Sequence, residues 1–256
     1  MTVKTERAGP VTVLTLARPD ARNAVDAPTA RQLAAAIDEF GADDEARVLI
    51  VTGAGSVAFC AGADLKGVDA LMSHPRTVDA GPMGFAALDP GKPTIAAIDG
   101  YCFAGGMELA AWCDFRIAGE QSEFGALNRR WGVPFFDGGT YRLPAAMGTG
   151  NALWLMETGI RINARQAKEI GLVQEVVPPG EALSRAMTLA QEMAAYPQTS
   201  LRADRMAVLS ASGRTFSQGL AAEREICRAA VDQDDMRQRL AEFAHGSRPP
   251  SPRPLD

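Results

Sequence analysis

The residues best suited to chemistry in this sequence stand together in one stretch, Asp99-Gly100-Tyr101-Cys102-Phe103-Ala104-Gly105-Gly106-Met107-Glu108-Leu109-Ala110. The apolar, β-leaning run Thr94-Ile95-Ala96-Ala97-Ile98 precedes it, and the helix-compatible Leu109-Ala110-Ala111-Trp112-Cys113 follows. The pattern predicts a strand, a tight glycine turn and a helix. A Gly-Gly pair lets main chain approach a ligand closely, because no Cβ intervenes. N–H groups at a helix start point outward with partial positive charge. Such a turn can hold an oxyanion, and Glu108, in the first turn of the helix, adds a carboxylate that can act as a base. The same residues also admit a purely structural reading, with Gly105-Gly106 as packing and Glu108 as a charge that favours the helix dipole.

Those residues need a scaffold, and 256 residues suffice for one α/β domain with a large core, or for two small ones. The net charge of −5, with both signs scattered, offers no basic field, so nucleic acid is not an expected partner. Cys60, Cys102, Cys113 and Cys227 show no C-x-x-C spacing and read as reduced, buried thiols. His74 and His245 are the only histidines, and neither lies in a metal-binding motif, so no metal site is expected. Met1 to Arg7 contains no apolar signal core, and no later run is long enough for a membrane span. The expectation is a cytoplasmic protein with no membrane contact.

In chain order, Val11 to Leu16 reads as a strand, and Asp26 caps a helix whose apolar face is Ala30, Leu33, Ala34, Ile37 and Phe40, ending near Gly41. Arg47 to Thr52 reads as a buried strand, and Asp114 to Ala118 as another. Residues 67–91 carry little pattern; they suit either a mobile cover or a surface connection. The mixture of glycine, aromatic and charged residues over 124–140 suits a pocket wall. Helices are predicted at 139–147, 150–158 and 164–170, the last capped by Asn163 and stopped by Gly171, then a strand over 172–177. Helices over 180–195, 198–210 and 215–243 complete the chain before a proline-rich tail, and no exact internal repeat is visible.

Two motifs then agree. Phe59-Cys60-Ala61-Gly62-Ala63-Asp64-Leu65-Lys66, followed by Asp99-Gly100-x-x-x-Ala104-Gly105-Gly106-x-Glu108-Leu109-Ala110, resembles the crotonase superfamily, whose best-known members are enoyl-CoA hydratases. The resemblance continues through Arg22-Asn23-Ala24, Gly138-Gly139-Thr140-x-Arg142-Leu143-Pro144 and Ala164-x-x-Ala167-x-x-x-Gly171-Leu172-Val173, nearly the whole chain. It implies an α/β fold, a spiral of ββα units with a C-terminal helical trimerisation region. The divisions it implies are an acyl-CoA-binding core over residues 1–195, a helical oligomerisation region over 196–246 and a tail over 247–256. It implies homotrimers or dimers of trimers, an acyl-CoA thioester as substrate, and no separate cofactor, coenzyme A being part of the substrate. The N–H groups of Ala63 and Gly105 would form an oxyanion hole, Glu108 would be the acid/base, and Arg22, Ala24, Ala61, Gly62, Asp64, Leu65 and Lys66 would line the coenzyme A path.

One position departs from the pattern. The second glutamate of the hydratases falls twenty residues after Glu108, where this chain has Asn128. An amide positions water by hydrogen bonding but exchanges no proton at neutral pH. Asp137, in the same wall, is the candidate replacement, although the aspartate of related isomerases and dehydratases aligns one residue earlier, on Phe136. Asn128 and Asp137 are therefore expected to position substrate or water. The leading expectation is enoyl-CoA hydratase-like chemistry. Isomerisation, another enolate reaction, or acyl-CoA binding without catalysis remain open alternatives. A different class, a nucleotide-binding dehydrogenase, is suggested only by Thr52-Gly53-Ala54-Gly55; it lacks a third glycine at the required spacing and any Tyr-x-x-x-Lys pair.

Overall fold

The computed structural model describes residues 1–73, 81–231 and 234–246. Strands β1 (Val3–Ala8) and β2 (Val11–Leu16) form an antiparallel hairpin turning at Gly9. From β2 the sheet runs parallel through β3 (Val48–Gly53), β5 (Thr94–Ile98), β7 (Phe115–Gly119) and β10 (Glu175–Val177). A second sheet joins β4 (Ala58–Cys60), β6 (Tyr101–Phe103) and β8 (Glu123–Gly125) in parallel, with β9 (Ile162–Asn163) antiparallel at its edge.

Three times, at β3 to β4, β5 to β6 and β7 to β8, a strand of the large sheet hands the chain through a tight turn to a strand of the small one. The middle corner shows why the turn needs its residue. Gly100 has φ +76°, and a Cβ there would lie 2.2 Å from the carbonyl oxygen of Val57. This spiral is the crotonase fold that the motifs imply.

Alternation along the strands builds a core on both faces of the large sheet, as a parallel sheet requires. Leu14, Leu16, Leu49, Val51, Ala96 and Ile98 pack with α1 (Ala27–Ala42) and the second sheet. The other face, including Val11, Val13, Val48, Ile50, Ile95 and Ala97, meets Ala182, Ala186, Ala190 and Ala194 of α7 (Ala182–Ala195). Small residues four apart form one stripe and let this helix lie close. Asp26 caps α1, its Oδ1 accepting from Thr29 N at 2.9 Å.

The remaining helices are α2 (Val68–Met72), α3 (Gly105–Trp112), α4 (Gly139–Met147), α5 (Thr149–Thr158) and α6 (Ala164–Glu169). After α7 come α8 (Gln198–Ala211), α9 (Phe216–Val231) and α10 (Asp234–Ala244). Asn163 caps α6 in a reciprocal capping box with Gln166.

Several expectations are corrected. The strand predicted over 172–177 covers only Glu175–Val177, because Leu172 and Val173 instead close the end of α6 by bonding to Ala167 O. The helix predicted over 215–243 is two helices, and the residues between them, like His74 and the tail, lie outside those described. The turn before α3 is not at the glycine pair: β6 intervenes, the tight corner is Asp99-Gly100, and both glycines belong to the helix. Thr52-Gly53-Ala54-Gly55 leads into β4 rather than a helix, so it provides no helix N-terminus for a pyrophosphate. Cys60, Cys102 and Cys113 are buried thiols, whereas Cys227 is partly exposed. No helix among the described residues is long and apolar enough to cross a membrane.

Candidate active site

The site lies where three segments far apart in sequence meet: the end of β4, the start of α3 and the wall from Leu127 to Gly139. The first segment is held from below. In the turn after β2, Arg22 and Asn23 adopt left-handed conformations, with φ of 53° and 55°. Asn23 is 1% exposed; its Oδ1 accepts from Arg18 N, and its Nδ2 donates to Ala54 O and Ala58 O. Arg18 bonds Ala24 O and pairs with Asp64 at 2.9 Å. Main-chain bonds from Ala61 N to Arg22 O, Val25 N to Gly62 O and Asp64 N to Val25 O complete the frame. Asp64 N–H is used in this network and Gly62 N–H donates to Cys60 Sγ, whereas among the described residues the N–H of Ala63 has no protein partner.

The second segment lies directly against it. A Cβ on Gly62, whose φ is +93°, would stand 2.7 Å from Gly105 N, and one on Gly106 would stand 2.1 Å from Cys60 O. Only glycine permits this approach. Gly105 opens α3, so its N–H has no acceptor in the preceding turn. Ala104 before it is held at φ 51°, ψ −123°, a region that a residue with a Cβ rarely occupies. Its own N–H donates to Gly125 O at 3.0 Å, so the second sheet fixes the conformation that directs Gly105 N–H.

The third segment supplies the partners of Glu108, which is 3% exposed. Glu108 Oε1 accepts from Asp137 N and from Gly139 N, each at 2.8 Å. A Cβ on Gly139 would lie 2.8 Å from Glu108 Cγ, which explains a glycine there. Burial, and then the neighbouring Asp137 charge, push the Glu108 carboxyl up to about 7, against the opposing main-chain hydrogen bonds. Asp137 is equally buried; its Oδ1 accepts from Met83 N at 3.0 Å, and burial pushes its carboxyl up to about 6. The second and third segments together therefore present two neighbouring carboxyl groups, both pushed up toward neutrality.

A cavity of about 230 Å³ joins these parts, with Arg22, Ala61, Ala63, Leu65, Gly105, Glu108, Asn128 and Asp137 among its lining residues. Its other walls are mostly apolar, including Leu71, Met83, Phe103 and Phe135. Of the residues named from the motifs, Ala24, Gly62, Asp64 and Lys66 do not line it. Ala24 and Asp64 are tied to Arg18, Gly62 supports Gly105, and Asp64 also caps the turn that includes Lys66.

Asn128 lines the wall, but its side chain is already engaged. Nδ2 donates to Val133 O at 2.8 Å while Val133 N donates to Asn128 O, so the residue clasps the turn; Oδ1 is buried without a partner among the described residues. Part of the pattern-poor region also belongs to the site: Val68, Leu71, Met72, Pro82 and Met83 line the cavity, and residues 74–80 lie outside those described. Sequence reasoning missed Arg18, Asn23 and Met83. The first two stand in or beside the Arg22-Asn23-Ala24 motif and were legible as turn residues; Met83 carried no signal.

Residues 6–250 match the family described as Enoyl-CoA hydratase/isomerase. A probable enoyl-CoA hydratase of Rhizobium meliloti is 34% identical over 245 residues, 94% of each chain. A carnitinyl-CoA dehydratase of Salmonella agona is 39% identical over 191 residues, 73% of this chain and 72% of its own length. Among solved structures, the enoyl-CoA hydratase of Mycobacterium tuberculosis H37Rv superposes with a TM-score of 0.90 at 33% identity, covering 97% of this chain and 98% of that one.

Proposed function

The chain belongs to the enoyl-CoA hydratase/isomerase family and is an acyl-CoA enzyme of the crotonase type, and from that premise we propose that it adds or moves a proton next to a thioester carbonyl through an enolate, with Glu108 as the acid/base. The N–H groups of Ala63 and Gly105 receive the thioester oxygen. Preorganised donors act where charge develops, and removing one such donor typically costs about 2.7–4 kcal/mol of transition-state stabilisation. The observation that carries the reading is Glu108 itself: buried, fixed through Oε1 by two main-chain N–H groups, and raised to about 7. A carboxyl near neutrality both takes and returns a proton at working pH. With Oε1 committed to those two N–H groups, this reading assigns the transferred proton to Oε2.

Coenzyme A enters past Arg22 and the Ala61 to Lys66 segment, as part of the substrate rather than as a separate cofactor. The helical region 196–246 assembles the chain into trimers or pairs of trimers around the 1–195 core.

Asn128 favours a second reading. Its amide is engaged by Val133 O, and it cannot serve as the second proton carrier of a hydratase. Asp137 is the carboxyl next to Glu108, and such a pair suits double-bond isomerisation as well as hydration or dehydration. The test follows the enoyl absorbance of a short and a long trans-2-enoyl-CoA with the wild type and Glu108→Gln. Turnover abolished by the substitution supports the assignment. Turnover that survives it removes Glu108 from the mechanism. No hydration, with shift of a 3-enoyl-CoA double bond to the 2-position, establishes isomerisation; binding without either reaction leaves an acyl-CoA-binding protein.

A further inference from the structure

Both N–H groups that hold Glu108 come from the turn Asp137-Gly138-Gly139, and the Arg142 side chain lies against that turn at Gly138. Its Nη1 donates to Asp137 O at 3.2 Å and its Nη2 to Ala86 O at 2.6 Å. Gly138 has φ +90°, and a Cβ there would lie 2.2 Å from Arg142 Nη1 and 3.3 Å from its Cζ, so the guanidinium reaches the turn with Nη1 foremost, where only a glycine leaves room. Arg142 N also donates to Gly138 O, so the side chain projects from the helix turn that it braces.

The far end of the guanidinium reaches the opposite wall. Ala86 belongs to the segment whose Met83 N–H donates to Asp137 Oδ1 and whose Met83 side chain lies against Gly105, where a Cβ would meet Sδ at 2.4 Å. One planar group thus joins the turn under Glu108 to the segment that closes the cavity over Asp137 and Gly105. Its two named side-chain bonds both go to carbonyls, and among the described residues it makes no carboxylate ion pair.

We propose that Arg142 is the positioning residue of this site: it clamps the 137–139 turn to the 81–88 segment, fixing the two N–H groups on Glu108 and the field felt by Glu108 and Asp137. It touches no substrate. The inference rests on the proton-transfer reading given above. The charged or titratable groups that face Arg142 are Glu108 on α3 and Cys113 just after it, Asp137 in the turn, and Tyr141 beside it on α4. The Arg142 charge opposes the upward push of burial on Asp137. A lysine keeps the charge but cannot span both carbonyls in one plane, and a glutamine loses the charge as well.

The experiment compares wild type, Arg142→Lys and Arg142→Gln. It measures kcat against pH with an enoyl-CoA, the Kd of a saturated acyl-CoA, and the titration of Glu108 and Asp137 by carboxyl carbon NMR. Loss of the clamp misplaces the acid/base by a fraction of an ångström or more, so kcat of Arg142→Gln falls by up to about a hundredfold. Its Kd changes less than about threefold, and its acidic limb and both carboxyl midpoints move to higher pH as the neighbouring cation is lost. Arg142→Lys keeps the midpoints near wild type while losing part of kcat. Unchanged kcat in either variant overturns the proposal, as does a proportional loss of kcat and binding with an unchanged pH profile. If Arg142→Gln does not fold, the lysine variant alone decides: reduced kcat with intact binding supports the clamp, and unchanged kcat refutes it. If the wild type turns over no enoyl-CoA, the proton-transfer reading fails separately. Midpoints unmoved in Arg142→Gln then overturn the role of Arg142 as well, and moved midpoints with retained acyl-CoA binding sustain it.

Discussion

Replacing Asp137 by Asn tests the carboxyl pair through stability as well as rate. The amide keeps an oxygen for Met83 N–H and nearly the same volume, so the 81–88 segment retains its anchor. What disappears is a buried charge whose pKa stands at about 6 instead of 3.8. At about 1.4 kcal/mol for each tenfold change in proton affinity, that rise corresponds to about 3 kcal/mol. The sign follows from proton uptake. Between pH 3.8 and about 6 the folded chain holds the Asp137 proton that the unfolded chain has released, so stability falls as pH rises through this window. Glu108 adds a similar decline between 4.5 and about 7, part of which comes from the Asp137 charge. The wild type therefore loses stability from pH 4 to pH 8 by about 3 kcal/mol more than Asp137→Asn. The new amide N–H₂ costs a fixed amount at every pH, and this constant cancels in the comparison. Urea unfolding of both proteins across that range, at one protein concentration, reads the difference directly. Parallel curves refute the burial argument. Turnover measured on the same samples falls by about 10²- to 10⁴-fold if Asp137 shares in proton transfer. Diverging stability curves with unchanged turnover would make Asp137 a buried carboxylate with no part in the reaction.

Two substitutions probe the main chain of the proposed oxyanion hole. Ala104→Gly relieves a conformation at φ 51°, ψ −123°; such strain costs of order 1–3 kcal/mol, against about 0.5–1 kcal/mol for the added freedom of glycine. Urea unfolding should show a gain of about 1 kcal/mol while kcat falls, because Gly105 N–H is less firmly directed; a loss of stability would deny the strain. Gly106→Ala places a Cβ 2.1 Å from Cys60 O and 2.9 Å from its carbonyl carbon. Both contacts are main chain, so β4 must shift, and the expected destabilisation is about 1–3 kcal/mol with a matching loss of turnover; a change under about 0.5 kcal/mol would show that the two segments separate freely.

The elements that sequence made legible are those whose periodicity is long enough to read. The α1 pattern from Ala30 to Phe40, the Asn163 cap and the apolar runs of β2, β3 and β5 each carry a local physical cause that survives in the fold. The second sheet was not legible, because β4, β6 and β8 are three residues each and buried almost throughout. Three residues show neither alternation nor a helical period. The threefold handover between sheets leaves no sequence repeat for the same reason. It requires a tight corner and a short buried strand, which different residues satisfy at each turn of the spiral.

At the site, legibility stopped at side-chain engagement. Glu108 and Asp137 were nameable from the chain, and their adjacency follows once α3 and the 127–139 wall are packed together. Asn128 was nameable too, as the residue standing where a second glutamate falls. Position alone could not reveal that its Nδ2 closes a turn on Val133 O. A carboxylate at 128 has no N–H for that bond, so a glutamate there would give up the side-chain tie to Val133 O while the main-chain bond from Val133 N to Asn128 O remained. The asparagine therefore has a structural part in this turn. It belongs to a wall in which the Asp137 N–H donates to Glu108 Oε1 and the Asp137 carboxyl accepts from Met83 N, and in the proposed reading that carboxyl is the second one of the site and Arg142 holds its turn.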